Sequence, residues 1–298
     1  MGETRSFDRW KPFDETTWSY QIFSRYDDQL GIIGTAHLNA MKFAYKGLKQ
    51  KGATWQDSAV DALDTGEKFL ATFRTLKDWS DSYNLFDNWV NLNTIMACAA
   101  NLETYVAAVI DLSIRSDPGL LFGASRSIDG AKLLKHGGAS IDTSQHVANC
   151  TKGDWSARFA ALEKILGPLD PKIKCHHAKL EELRNIRNRV GHAFGRDIDN
   201  ARNHGVRAFH DMESLPRDRA YAYTRVCRTV ARELDRHVLY RFVGDFETIR
   251  FFARHHTDIP NVNVIKRAIA LKTALGRIGA QMRSKVHLTG LIEYWEAL

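Results

Sequence analysis

Residues 187–192 read Arg-Asn-Arg-Val-Gly-His, and these types at this spacing suit phosphodiester chemistry. Histidine ionises near neutrality, so His192 is equipped to take a proton from a ribose 2′-hydroxyl or give one to a leaving 5′-oxygen. Arginine stays charged, so Arg187 can hold non-bridging oxygens in bidentate fashion as negative charge develops. Asn188 can orient the imidazole or the sugar. Glu181 and Glu182 are the close carboxylates, and no acidic cluster of the kind that holds Mg²⁺ stands beside the motif. The chemistry this favours is metal-independent, with a 2′,3′-cyclic phosphate as product. No cofactor is expected.

A helix must carry these residues. Leu180, Leu183, Ile186 and Val190 fall on one arc of a helical wheel and read as its core face, over Lys172 to about Val190. Arg184, Asn188 and His192, spaced four apart, form a polar stripe. Arg187 falls on the apolar side, where an arginine needs a partner or an interface. Five residues separate Arg187 from His192, roughly 140° on an ideal helix. Either Gly191 ends or bends the helix and swings His192 round, or a second copy of the helix completes the site across a two-fold axis.

The charge is concentrated around this helix. Of the net +7, residues 172–241 contribute all of it, with 16 Lys and Arg against 9 Asp and Glu, and they also hold six of the twelve histidines. That asymmetry points to a local anionic partner or, equally, to an ordinary solvated face. Arg184, Arg189 and Arg196 lie in or beside the motif helix, and Arg202 and His204 are expected in a loop over the cleft. Arg225, Arg228, Arg232 and Arg236 recur at helical spacing, as a phosphate-tracking stripe or as an ordinary solvated face. Trp79, Trp89, Tyr105, Phe246 and Phe251 read as core.

Around these elements the periodicity is helical almost throughout. Helices are expected over Leu30 to Gln50, Thr54 to Trp79 behind a Thr cap, Leu85 to Ile114, Asp154 to Leu166 and Arg217 to about His255. Others are expected at Gly130 to His136, Val262 to Met282 and Leu288 to Ala297. The result is an all-α chain divided as a helical extension over 1–83, a long-helix bundle over 84–256 and a helical tail over 257–298. Cys98, Cys150, Cys175 and Cys227 form no C-x-x-C pair, and Cys175-His176-His177 diverge too far on a helix to share a metal. The N-terminus lacks the apolar stretch of a signal peptide, and no uninterrupted apolar run approaches the roughly 20 residues of a membrane span. The cytoplasm is the expected location, with no membrane partner.

The segment 181–192, with Arg, a polar residue and then His four positions beyond the first intervening residue, resembles the signature of the HEPN superfamily. Asn101 to Val106 resembles an early core helix of that superfamily, and Gly244 to Glu247 lies in a helix like its closing one. The resemblance covers about 84–256. It implies a HEPN-like helical bundle that forms a homodimer with two motifs facing one cleft, and a metal-independent endoribonuclease of toxin, anti-phage or RNA-processing type. Arg187 and His192 then correspond to the essential pair and Asn188 to the accessory residue, with RNA as substrate and an antitoxin or defence-system protein as partner. Phe194 stands where some members carry a modifiable Tyr two residues after the His, which puts that mode of control in doubt. The alternative is a non-catalytic RNA- or protein-binding module or adaptor.

Overall fold

The computed structural model describes residues 7–63, 72–138, 141–197, 199, 210–259 and 263–298, and these are all-helical, with no strand and an isolated bridge pair between Ser58 and Thr75. The helices are α1 (Trp18–Gln50), α2 (Ala59–Leu63), α3 (Leu76–Ser116), α4 (Gly130–His136), α5 (Ser144–Thr151), α6 (Trp155–Leu166), α7 (Pro171–Lys174), α8 (His177–Ala193), α9 (Arg217–Val238), α10 (Phe246–His255), α11 (Val264–Arg277) and α12 (Lys285–Ala297). Two compact units interleave along the chain. One comprises residues 1–23, 103–177 and 229–298, the other 24–102 and 178–228, so α1, α3 and α9 each contribute to both.

In the first unit, α10, α11 and α12 bury Ile249, Phe252, Leu271, Leu288, Leu291 and Trp295 in one apolar cluster. The N-terminal segment is held by polar contacts. Arg9 is 2% exposed, its two terminal nitrogens reach Ser116 Oγ and the Ser116 carbonyl, each at 2.7 Å, and it pairs with Asp129 at 2.9 Å. Asp235 accepts from the Thr17 hydroxyl and amide and from Tyr105, and Glu247 accepts from the Trp18 amide. Burial pushes these carboxyls up to about 6 and about 7 respectively.

In the second unit, His37 of α1 and Arg217 of α9 share the carboxylate of Asp87 on α3. Arg228 of α9 donates to Asp27 and Asp28 of α1. These ion pairs tie the three long helices together.

Several expected elements differ. The helix expected over Thr54 to Trp79 is not continuous: both the amide and the hydroxyl of Thr54 donate to Asp57, and the amides of Leu76 and Lys77 return to the carbonyls of Asp57 and Trp55. A folded-back loop therefore replaces its start, and Trp79 belongs to α3. The expected Arg217–His255 helix breaks at a π turn over Leu239–Val243 and at Gly244, whose φ of +54° is left-handed. The expected motif helix is split at Cys175–His176 into α7 and α8. Trp89 is 38% exposed and is not core. α3 is long and apolar enough by composition to cross a membrane, with an 18-residue window of mean hydropathy 1.4 that is half buried in the chain's own packing. A soluble chain is compatible with this, since the core helix of a soluble protein passes the same test.

Candidate functional site

Leu180, Leu183 and Ile186 are buried at 0%, 2% and 1% exposure, and this apolar row fixes which way α8 faces. Val190, expected in the same row, is half-buried. The helix runs unbroken through Gly191 and His192 to Ala193. The stop comes later, at Phe194 and Gly195, both left-handed with φ of +53° and +77°. Gly191 is therefore an interior helix position and not the expected helix-ending one. Without a bend there, Arg187 and His192 keep the angular separation of an ordinary helix.

The turn after α8 is anchored on α3. The amide of Gly195 returns to the carbonyl of Arg189 at 3.0 Å, and the carbonyl of Gly195 accepts from the amide of Glu213 at 2.7 Å. A Cβ on Gly195 would lie 3.1 Å from Leu92 of α3. The segment at Glu213 is fixed in turn by two asparagines of α3. Asn88 donates to the carbonyl of Glu213 and accepts from the amide of Leu215, and Asn91 donates to the carbonyl of Leu215. Asn88, Asn91 and Glu213 were not singled out by sequence reasoning. The two asparagines stand among other polar residues of α3, such as Asn84, Asp87 and Asn93, and nothing in their spacing marks them.

The motif side chains are then placed as follows. Arg187 is half-buried and donates to Asn188 Oδ1 at 3.2 Å. The Asn188 carbonyl thus faces arginine, and no bond joins it to His192 among the described residues. His192 is exposed at the end of the helix and carries no hydrogen-bond or ion-pair partner among the described residues. Arg189 is bound to Glu213 by two contacts, at 2.9 and 2.6 Å.

Comparison with family models, with curated proteins and with solved structures gives no match. The site is therefore read from its own geometry.

The surrounding positive charge is largely answered within the chain. Arg184 binds Glu181, Arg219 binds Glu182, and Arg228 binds Asp27 and Asp28. Glu181 and Glu182, the carboxylates nearest the motif, are thus both engaged by arginines. Arg196 donates to the carbonyl of His210 at 2.5 Å and lies 5.2 Å over the Phe194 ring. Arg225 is exposed with no ionic partner among the described residues. In the other unit, Arg232 and Arg236 both lean on Glu233. Arg202 and His204 lie outside the described residues. The expected basic stripe is thus a row in which three of four guanidiniums already have carboxylate partners.

A cavity of about 120 Å³ lies in the second unit, lined by Asp27, Gly34, His37, Arg217, Arg225 and Arg228 among others. It contains no motif residue. Cys98, Cys150 and Cys227 are buried thiols and Cys175 is exposed.

Proposed function

We propose that this chain is a metal-independent endoribonuclease of HEPN type that acts as a homodimer, its two motif helices forming one cleft in a HEPN-like bundle. The observation that carries the reading is the state of His192, an exposed imidazole without a partner among the described residues, five residues beyond a half-buried Arg187 on the same helix. A structural histidine is ordinarily satisfied by a neighbour. The unbroken helix adds to the case for a second copy, because one straight helix does not converge the pair on one phosphate.

In the proposed reaction His192 of one copy removes the 2′-hydroxyl proton, and the 2′-oxygen attacks phosphorus. Arg187 stabilises the charge gathering on the non-bridging oxygens. The P–O5′ bond breaks, and a protonated imidazole of the second copy donates a proton to the departing 5′-oxygen, leaving a 2′,3′-cyclic phosphate and a 5′-hydroxyl. Engagement of Glu181 and Glu182 by Arg184 and Arg219 supports a metal-independent route, as those carboxylates already have cationic partners. Arg225 is the residue best free to track phosphate. A cytoplasmic toxin or anti-phage setting, with an antitoxin or defence partner, belongs to the same proposal.

Purified protein should cut RNA in excess EDTA, and His192→Ala or Arg187→Ala should each lower the rate on the order of 10²–10⁴-fold with the far-ultraviolet spectrum unchanged. Cutting that survives both substitutions removes the assignment. Growth inhibition on expression that depends on His192 tests the toxin setting.

The second reading, a non-catalytic docking module or adaptor, is favoured by the internal neutralisation of Arg184, Arg189 and Arg228, which leaves less charge for RNA. It predicts no cleavage under any condition.

A further inference from the structure

The solvent side of α1 carries a pattern that stays exposed in the second unit. Tyr26, Gln29, Ile33, Ala36, Ala40 and Phe43 follow one another at alternating steps of three and four residues. That is the spacing of a helix seam that meets another helix. All six are exposed, with Tyr26 at 57%, Ile33 at 55% and Phe43 at 80%. Ile32 beside the seam is 69% exposed.

The apolar surface continues onto α3. The His37 ring lies 5.2 Å from that of Phe86, which stacks on Trp89 at 6.2 Å, and Leu85, Phe86 and Trp89 are all exposed. Aromatic side chains of about 150–250 Å² at these exposures, with the isoleucines and leucine, leave on the order of 700 Å² of apolar surface per chain. That exceeds the patch of a typical monomer, about 300–600 Å², and approaches the roughly 800 Å² per partner of a standard interface.

We infer that this face of α1 is a homodimer interface in which α1 packs antiparallel against α1 of a second copy. The seam is complementary to itself in that direction. With a two-fold axis beside Gly34 and Thr35, Tyr26 opposes the second copy's Phe43, Gln29 opposes its Ala40 and Ile33 opposes its Ala36. Large residues meet small ones in two of the three layers, and two aromatic rings meet in the third, so helices can approach closely without a void.

The seam uses neither the motif of α8 nor its chemistry, so the inference stands apart from the ribonuclease reading.

The test uses the full chain in light scattering coupled to gel filtration. Ile33→Glu with Phe43→Glu should halve the measured mass and raise the dissociation constant on the order of 100-fold or more, with helicity unchanged because both side chains are exposed. Direction is read by cross-linking in a Cys175→Ser background. A mixture of Ile33→Cys and Ala36→Cys chains should form an intermolecular disulfide. Phe43→Cys alone should not, as its two copies would stand about 25 Å apart along the helices at ~1.5 Å per residue. A wild-type mass of one chain, a mass unaffected by the double substitution, or self-linking of Phe43→Cys overturns the inference.

Discussion

Arg189 of α8 and Glu213, 24 residues later, are joined through Nε and Nη2 of the arginine to one carboxylate oxygen, at 2.9 and 2.6 Å. The second arginine of the motif is thereby a fastener that holds the end of α8 to the segment pinned by Asn88 and Asn91. A half-buried, charge-assisted pair of this kind is worth more than a solvated one, on the order of 1 kcal/mol. Arg189→Ala and Glu213→Ala should lower the melting temperature by similar amounts, and the double variant should lose little more than either alone. Additive losses in calorimetry would show that the two side chains act separately.

Arg225 and Arg228 separate binding from stability. Arg228 answers Asp27, whose side chain is 4% exposed, so Arg228→Ala leaves a buried carboxylate without its partner and should cost roughly 1–3 kcal/mol. Arg225→Ala removes an exposed charge and should leave the melting temperature unchanged. If RNA tracks this helix, the same variant reduces the slope of log affinity against log salt by about 1. Denaturant unfolding and salt-dependent RNA titration on both variants measure this directly.

Gly244 cannot be replaced cheaply. Its φ is +54°, and a Cβ there would stand 2.1 Å from the Arg9 carbonyl and 2.8 Å from Trp10 Cα. The same Arg9 carbonyl accepts from the amide of Asp245. Gly244→Ala combines a strained backbone with displacement of the N-terminal segment, and should cost about 2 kcal/mol or more. Thermal unfolding with protease digestion of that segment reports both effects, and a wild-type profile would contradict the account.

Glu247 makes stability depend on pH with a defined sign. Burial raises its carboxyl to about 7 in the folded chain, above the ordinary 4.5, so the folded state holds a proton that the unfolded state releases between those values. Its contribution is fully present below the unfolded pKa and is lost as pH rises through 7. Glu247→Gln keeps an oxygen to accept from the Trp18 amide but cannot titrate. From pH 5 to pH 8 the variant should gain on wild type by on the order of 2 kcal/mol, at about 1.36 kcal/mol per pKa unit. A melting-temperature difference that stays flat over that range contradicts the burial argument. Asp235, raised to about 6, leaves a smaller slope of the same sign in the variant.

The sequence by itself determined that the chain is helical, because apolar residues three and four apart generate amphipathic helices whatever packs on them. It also determined the face of α8, since Leu180, Leu183 and Ile186 are buried as their spacing requires. Periodicity is silent on breaks that depend on distant partners. The π turn before Gly244 replaced a continuous helix for that reason, its carbonyls accepting from Ser116 and Arg126. The N-terminal segment shows the limit most plainly: Arg9 is buried because Ser116 and Asp129, more than 100 residues away, converge on it. Charge behaved likewise. Composition placed the excess around the motif helix, but only the tertiary structure decided which arginines meet carboxylates, because ion pairing depends on separations of a few ångströms that sequence distance does not encode. His192 remained exposed and without a partner among the described residues, while Arg189 next to the site was drawn to Glu213. That difference between two neighbours on one helix belongs to the fold alone.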